Sequence, residues 1–511
     1  MSRIVLTVSA LLSLGAIAAG CGNAGSSASG AASLAPAGAV IYGEATLDPS
    51  EGQQAAIESL IAKFPGKGSA GERIRGLLEK AFSESDTGLS YSKDIEPWLG
   101  DKAGFFVSSL NPSADGTGGA FMVSTDDEGK ARDAIEKAAR ANDGKASSYR
   151  GHDYYAISGG AAGVVDGWVV LGNSTGFKAA VDTAEGGAQL EDDDAYAKAL
   201  GDAPEERLGF VYLNTPAFMD QLQKSGAGAT LGPFAGLFKD PVLATFNATE
   251  HGVRLEATLP ESISSVLPIL GESGGRAADL PADSWLALAQ PDLGKTISYF
   301  VDAFGAVAGG RDALEQQLKA ATGLDLDRDV ISWMGDWSLF VRGTSVDKLS
   351  GALVIETTDR AASRRFIGAI AQLARKGLND RGSVGPLDVP GGGEGVTLRT
   401  PSVSEPIHLF QRDGKVVLAY GDSAAADAFD PGEKLGDTQA YKDAQAALGE
   451  DYDLSFYLGF EPIVALVDST GAGDDEGWLK IKPYLEPLGA LVVGARKDGD
   501  KIRSAFGLTV K

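Results

Sequence analysis

Asp94-Ile95-Glu96-Pro97-Trp98-Leu99-Gly100-Asp101 leads into the apolar run AGFFV, and the chain repeats this grammar once. The echo is Asp329-Val330-Ile331-Ser332-Trp333-Met334-Gly335-Asp336, leading into WSLFV. Working outward from these two stretches, the same landmarks recur in the same order. Upstream, Pro36-Ala37 opens VIYGEATL and Pro281-Ala282 opens SWLALAQ. Downstream, Ala120–Thr125 precedes DDEGKARDAIEKAAR, as Ala352–Thr357 precedes TDRAASRRFIGAIAQLAR. Asp166-Gly167-Trp168-Val169-Val170-Leu171 matches Asp413-Gly414-Lys415-Val416-Val417-Leu418, and Ala195-Tyr196 before LGFVYL matches Ala440-Tyr441 before LSFYLG. Units of this size are domains rather than solenoid repeats. The expected division is residues 36–260 for the first repeat, 261–279 for a linker and 280–511 for the second.

Periodicity supplies the class. Ile57, Leu60, Ile61 and Phe64 fall at helical spacing before Pro65, and Ile74, Leu77, Leu78, Ala81 and Phe82 repeat that spacing. Strand-like runs meet across Asp166-Gly167 and across Asp498-Gly499, and Asp-Gly between apolar runs is a hairpin signal. Hairpins interspersed with helices predict an α+β fold: two homologous domains from an internal duplication, each an antiparallel sheet with helices packed on one face.

The first residues speak about location. Arg3 and the amino terminus form a short positive region, and Ile4–Ile17 an apolar one. Ala18-Ala19-Gly20 then supplies small residues before Cys21, the single cysteine of 511 residues. Residues 1–20 have the grammar of a signal peptide, too short for a stable membrane span. Ile17–Cys21 resembles a bacterial lipobox, with Ala18 where leucine is commonest. Cys21 is thus the expected lipidation site, anchoring the protein to the outer face of the bacterial cell membrane. Residues 21–35 (CGNAGSSASGAASLA) are expected to be a flexible tether.

A formal net charge of −25 argues against nucleic acid, which needs a positive face to displace counterions. No Lys/Arg cluster follows Cys21, so electrostatic docking on anionic lipid is not expected either. Without disulfides, stability must come from packed cores.

Several stretches imitate catalytic or metal motifs. Gly172-Asn173-Ser174-Thr175-Gly176 matches a Gly-x-Ser-x-Gly nucleophile elbow between a strand and a helix. The plainer reading has Asn173/Ser174, and Asp422/Ser423 in the second repeat, capping helices. Ser90-Tyr91-Ser92-Lys93 contains Ser-x-x-Lys without the companion motifs of penicillin-binding proteins. Asp325, Asp327, Asp329 and Asp336 have EF-hand-like spacing, but Val330 replaces the required glycine and Asp336 is shorter than the usual glutamate. Gly391-Gly392-Gly393-Glu394-Gly395 lacks the Lys-Ser/Thr of a phosphate loop. His152, His251 and His408 are scattered, so no zinc site is expected. Trp98 and Trp333, at matching places, are expected to anchor core packing rather than serve as ligand platforms.

Pro36–Pro49, Glu51-Gly52-Gln53-Gln54, the Asp94–Asp101 turn and the Val165-Asp166-Gly167-Trp168 hairpin together resemble the bacterial domain-of-unknown-function family 3352. The resemblance covers most of the chain from Cys21 onward and is clearest in the first repeat. It implies a secreted or lipid-anchored envelope protein with no assigned activity, and so no catalytic residues to carry across. The expectation is a non-enzymatic binding or scaffolding protein without catalytic, cofactor-binding or metal-binding residues. Its partners would be the membrane, through its anchor, and a hydrophobic small molecule or an envelope protein. Two alternatives stand beside this: a surface serine hydrolase using Ser174, and a solute-binding receptor with a cleft between the repeats.

Overall fold

The structure, a computed structural model, describes residues 30–85, 87–110, 117–157, 159–224, 239–265, 267–305, 310–378 and 381–511. The first unit is built on nine antiparallel strands among the described residues. They are β1 (Ile41–Thr46), β2 (Leu99–Val107), β3 (Gly119–Thr125), β4 (Lys145–Tyr149), β5 (His152–Ile157), β6 (Gly160–Val165), β7 (Trp168–Asn173), β8 (Gly209–Leu213) and β9 (Val242–Thr249). They pair in the order β4-β5-β6-β7-β3-β2-β1-β8-β9. The β6–β7 hairpin turns on Asp166 at φ 47° and Gly167 at φ 80°, the left-handed pair that a two-residue turn between twisted strands requires. Its helices are α1 (Glu51–Ala62), α2 (Ala70–Ser83), α3 (Glu128–Ala141), α4 (Ser174–Ala184), α5 (Asp194–Gly201) and α6 (Thr215–Lys224). Ser69 and Glu72 close α2 with a reciprocal capping box.

After β10 (Gly252–Pro260), in which the division between the units falls, the second unit runs to Lys511. Its strands are β11 (Ser284–Gln290), β12 (Met334–Arg342), β13 (Ser350–Thr357), β14 (Ser383–Pro386), β15 (Glu394–Arg399), β16 (Ile407–Arg412), β17 (Lys415–Tyr420), β18 (Asp453–Gly459), β19 (Leu488–Asp498) and β20 (Lys501–Val510). They are antiparallel in the order β14-β15-β16-β17-β13-β12-β11-β18-β19-β20. Its helices are α7 (Leu293–Gly305), α8 (Arg311–Thr322), α9 (Arg360–Leu378), α10 (Asp422–Asp427), α11 (Gln439–Leu448), α12 (Phe460–Asp468) and α13 (Glu476–Leu485). Mixed helix and antiparallel sheet is the class that the hairpins predict.

The helices do not keep to one face, and this corrects the sequence expectation. In each unit two apolar cores form on opposite faces of the sheet. In the first, Trp168 and Val170 of β7 pack with α4 (Phe177, Ala180, Val181), while Val169 between them packs with α2 and α3 (Leu78, Ala131, Ile135). In the second, Val417 and Ala419 join Ala424 and Leu448, while Val416 joins Ile367 and Ala371 of α9. The signal was present in the strands themselves. β6 reads GAAGVV and is buried along its whole length, a continuous apolar run rather than the alternation of a half-solvated strand.

Residues 30–35 also depart from expectation: they are packed, not tether. Ala31–Ser33 make a 3-10 turn, and Ala31, Ala32, Leu34 and Ala35 are all buried. Glu44 holds the turn, its Oε2 accepting from the Ala31 amide (3.1 Å) and the Tyr42 hydroxyl (2.6 Å). Leu190 N then donates to Ala35 O at 2.8 Å. The small residues that look like linker composition are what lets this segment lie close against Gly104 of β2. The second unit has the same device in the last part of the expected linker. Arg276–Asp279 make a 3-10 turn, Ala277 is fully buried, and Leu435 N donates to Leu280 O at 2.7 Å. The segment 267–279 is therefore packed onto the second unit, with Ser273 donating to Asp453 Oδ1 at 2.8 Å. Cys21 and the expected signal segment, residues 1–20, lie outside the described residues.

A candidate functional site

The turn that recurs in the sequence is a small machine for holding a tryptophan. Tyr91–Ile95 forms a π-helical turn in the first unit and Leu326–Ile331 in the second. Trp98 Nε1 donates to Asp94 O at 2.6 Å, and Trp333 Nε1 to Asp329 O at 3.1 Å. Each aspartate also accepts the amide four residues before it: Ser90 N to Asp94 at 2.8 Å, and Asp325 N to Asp329 at 3.0 Å. A cation on the following long helix completes each site, Lys137 of α3 at 2.7 Å from Asp94 and Arg365 of α9 at 2.8 Å from Asp329. Burial pushes the Asp94 carboxyl up, but the hydrogen bonds from Lys137 and Ser90 outweigh it and hold it below its ordinary value. Arg328 is the main cause of the low pKa of Asp329, opposed by burial and reinforced by the Asp325 amide and Arg365. π-turns are frequent at functional sites, yet here every polar atom described is spent on structure.

The other motifs resolve in the same way. Asp325 caps the Arg328 amide (3.0 Å), Asp327 pairs with Arg311, and Asp336 pairs with Arg276 (2.6 Å). With Asp329 buried against two arginines, the four carboxylates do not converge on a cation. Among the described residues no group of three or more His, Cys, Asp or Glu side chains could hold a metal ion. In Gly172–Gly176, Asn173 Oδ1 accepts from Gly176 N at 2.7 Å, so the asparagine caps α4 and Ser174 is its first residue. Both glycines of the elbow-like motif have a packing reason. A Cβ at Gly172 would come within 2.6 Å of Gly119 O, and one at Gly176 would overlap the Gly119 backbone outright. Asp422 does not cap α10 as Asn173 caps α4. Gly421 is the N-cap, and the Asp422 carboxylate instead takes His408 Nε2 at 2.9 Å. His408 is fully buried, and its Nδ1 meets Thr397 Oγ1 at 3.0 Å. The ring thus ties β15, β16 and α10 together. Ser90 of the Ser-x-x-Lys match donates to Glu79 at 2.8 Å. Asp193 in the acidic run 192–194 and Asp475 in 474–476 cap α5 and α13.

What sequence reasoning did not find is a cavity. Between the inner faces of α2 and α3 and the strands β3, β6 and β7 lies an apolar cavity of about 110 Å³. Phe82, Ile95 and Trp98 form one wall, Ala134, Ile135 and Ala138 of α3 another, and Ala162 and Val169 the floor. No lining residue is charged. The single hydroxyl, on Thr87, is occupied by Ser85 Oγ at 2.6 Å. Leu89, Ala138, Ile157 and Leu171 are half-buried and mark the mouth.

The second unit shows why the cavity exists. Thr125 N donates to Gly167 O and Asp126 N to Trp98 O, as Thr357 N does to Gly414 O and Thr358 N to Trp333 O. These bonds set α3 and α9 in one register, each starting from a capping aspartate, Asp127 or Asp359. Seven and eleven positions later α3 carries Ala134 and Ala138, where α9 carries Phe366 and Ile370. Four residues before the hairpin aspartate, β6 carries Ala162 where β16 carries Leu409. Phe366 and Ile370 pack into the core with Leu409, and the Phe366 ring lies 5.5 Å from that of Trp333. Three small side chains leave open in the first unit what three large ones fill in the second.

The sequence profile of a family described as protein of unknown function (DUF3352) matches residues 4–472. The chain belongs to the DUF3352 family. The stretches that carry the family resemblance are structural in this DUF3352 protein: the Trp98 turn, the Asp166-Gly167 hairpin and Gln53. The Gln53 side chain both donates to and accepts from the Ala248 backbone, at 3.0 and 2.9 Å. No match is found among curated proteins. Among solved structures, the DUF3352 chain is similar to crystal form III of TP0453 at 10% identity and a TM-score of 0.25, over 46% of this chain and 80% of that one. Crystal form IV of TP0453 is similar at 11% identity and the same TM-score, over 48% and 83%.

Proposed function

We propose that this DUF3352 protein is held on the outer face of the bacterial cell membrane by a lipid on Cys21 and binds a hydrophobic molecule there, without catalysing a reaction. The observation that carries this reading is the apolar cavity of about 110 Å³ beside Trp98. Cavities lined only by apolar groups stay dry and are open to apolar guests. The elbow-like serine is the first residue of a helix capped by its neighbour, and three of the four carboxylates of the calcium-like loop are paired with arginines while Asp325 caps a backbone amide, which favours binding over chemistry. Matching strand order, tryptophan turns and buried alanine turns support an origin of the two units by duplication, the first keeping an open pocket.

The test is a comparison of native and denaturing mass spectra of the chain from residue 22 onward, expressed without its anchor. Starting there rather than at residue 36 keeps the packed turn at residues 30–35. The expected result is an added mass present only in the native spectrum and lost from an Ala134→Phe variant. A bare chain mass under native conditions, in protein never exposed to detergent, would overturn the reading.

A further inference from the structure

We infer that the cavity of the first unit takes the methyl end of a single unbranched acyl chain, with the polar head left outside, and that the second unit has no such site. The inference deepens the hydrophobic-ligand reading and rests on it. Size favours a narrow guest: an engineered cavity of roughly 150 Å³ takes benzene, and this one is about 110 Å³. The fused rings of a sterol or the substituted ring of a quinone match that volume less well than the end of a chain one methylene wide. Chemistry points the same way. No lining residue is charged, and Thr87 Oγ1 is held by Ser85 and by the Leu89 amide, so nothing inside can solvate a head group. A molecule apolar at one end and polar at the other must enter apolar end first, past the half-buried Leu89, Ala138 and Ile157. The asymmetry between the units follows from Ala134, Ala138 and Ala162 standing where Phe366, Ile370 and Leu409 fill the second core.

Trp98 in the cavity wall makes the depth of insertion measurable, because bromine quenches tryptophan emission at contact. The protein would be the mature chain with Cys21→Ser, and the probes 12-bromododecanoic and 2-bromododecanoic acid. Quenching by the 12-bromo acid is expected, absent in Trp98→Phe, with little effect from the 2-bromo acid and no competition by cholesterol. Ala138→Ile at the mouth and Ala134→Phe in the wall should each weaken binding at least tenfold while the melting temperature holds or rises. If Ala134→Phe fails to fold, Ala138→Ile alone decides. Equal quenching by the two acids, or unchanged affinity in a folded Ala138→Ile, would overturn the inference. Absence of quenching beside a mass adduct that Ala134→Phe removes would sink the acyl-chain assignment alone; absence of both would sink the pocket reading as well.

Discussion

Asp329 illustrates how one side chain can look like a ligand and be a brace. Its side chain is 2% exposed, and it holds Arg328, Arg365 and the Asp325 amide while its carbonyl receives Trp333. A carboxyl whose folded pKa is depressed contributes stability that is fully present above its unfolded pKa, about 3.9, and is lost as pH falls toward the folded value. Asp329→Asn is therefore expected to cost about 2 kcal/mol at pH 7. In urea titrations the gap to wild type should narrow below about pH 4. At Gly176 the expectation is steric. Gly176→Ala must push β3 and α4 apart at Gly119 and should cost about 3 kcal/mol. Ser174→Ala should stay within about 0.5 kcal/mol. Denaturant midpoints for the two variants test the packing account of the motif. A catalytic serine would instead show as fluorophosphonate labelling lost in Ser174→Ala, and none is expected.

At the level of elements, the turn at residues 30–35 decides where the first unit begins. Leu34 is 2% exposed, so Leu34→Ala should cost about 3 kcal/mol, the usual range for a buried leucine. A chain starting at Pro36 should melt below one starting at Gly22, and equal melting temperatures would show the turn to be dispensable. The hairpin turns, the first two helices and the Asn173 cap were legible because each depends on a few neighbouring residues, Asp166 with Gly167 and Asn173 with Gly176, whereas Asp422 was taken from capping by His408. The burial of β6 and β7 on both faces was legible too, in their unbroken apolar runs. The linker-like AASLA was not. Composition says that small residues can be mobile or can be packed tightly, and only the presence of Glu44, Gly104 and Leu190 around it decides between the two.

For the whole molecule, net charge and anchoring act together. A chain of charge −25 has no electrostatic reason to stay at an anionic bilayer, so the proposed lipid on Cys21 would have to carry any association. Wild-type protein is expected in the membrane fraction, resistant to 1 M salt and released by detergent, whereas Cys21→Ser should leave that fraction. Release of the wild type by salt alone would count against the anchor. No helix among the described residues is long and apolar enough to cross a membrane.

The sequence by itself determined the mixed α and antiparallel β class, the recurring landmarks, the hairpins and the Asn173 cap, and membership of the DUF3352 family, because each rests on short-range pattern. Tertiary structure alone decided the rest. Asp329 meets Arg365, and Asp94 meets Lys137, only once the long helix crosses the π-turn. Ala134, Ala138 and Ala162 are unremarked alanines in sequence, and they become a cavity when α3 lies over β6 and their three small volumes add up in one place. A void has no sequence motif, since it is made of what several distant side chains fail to fill.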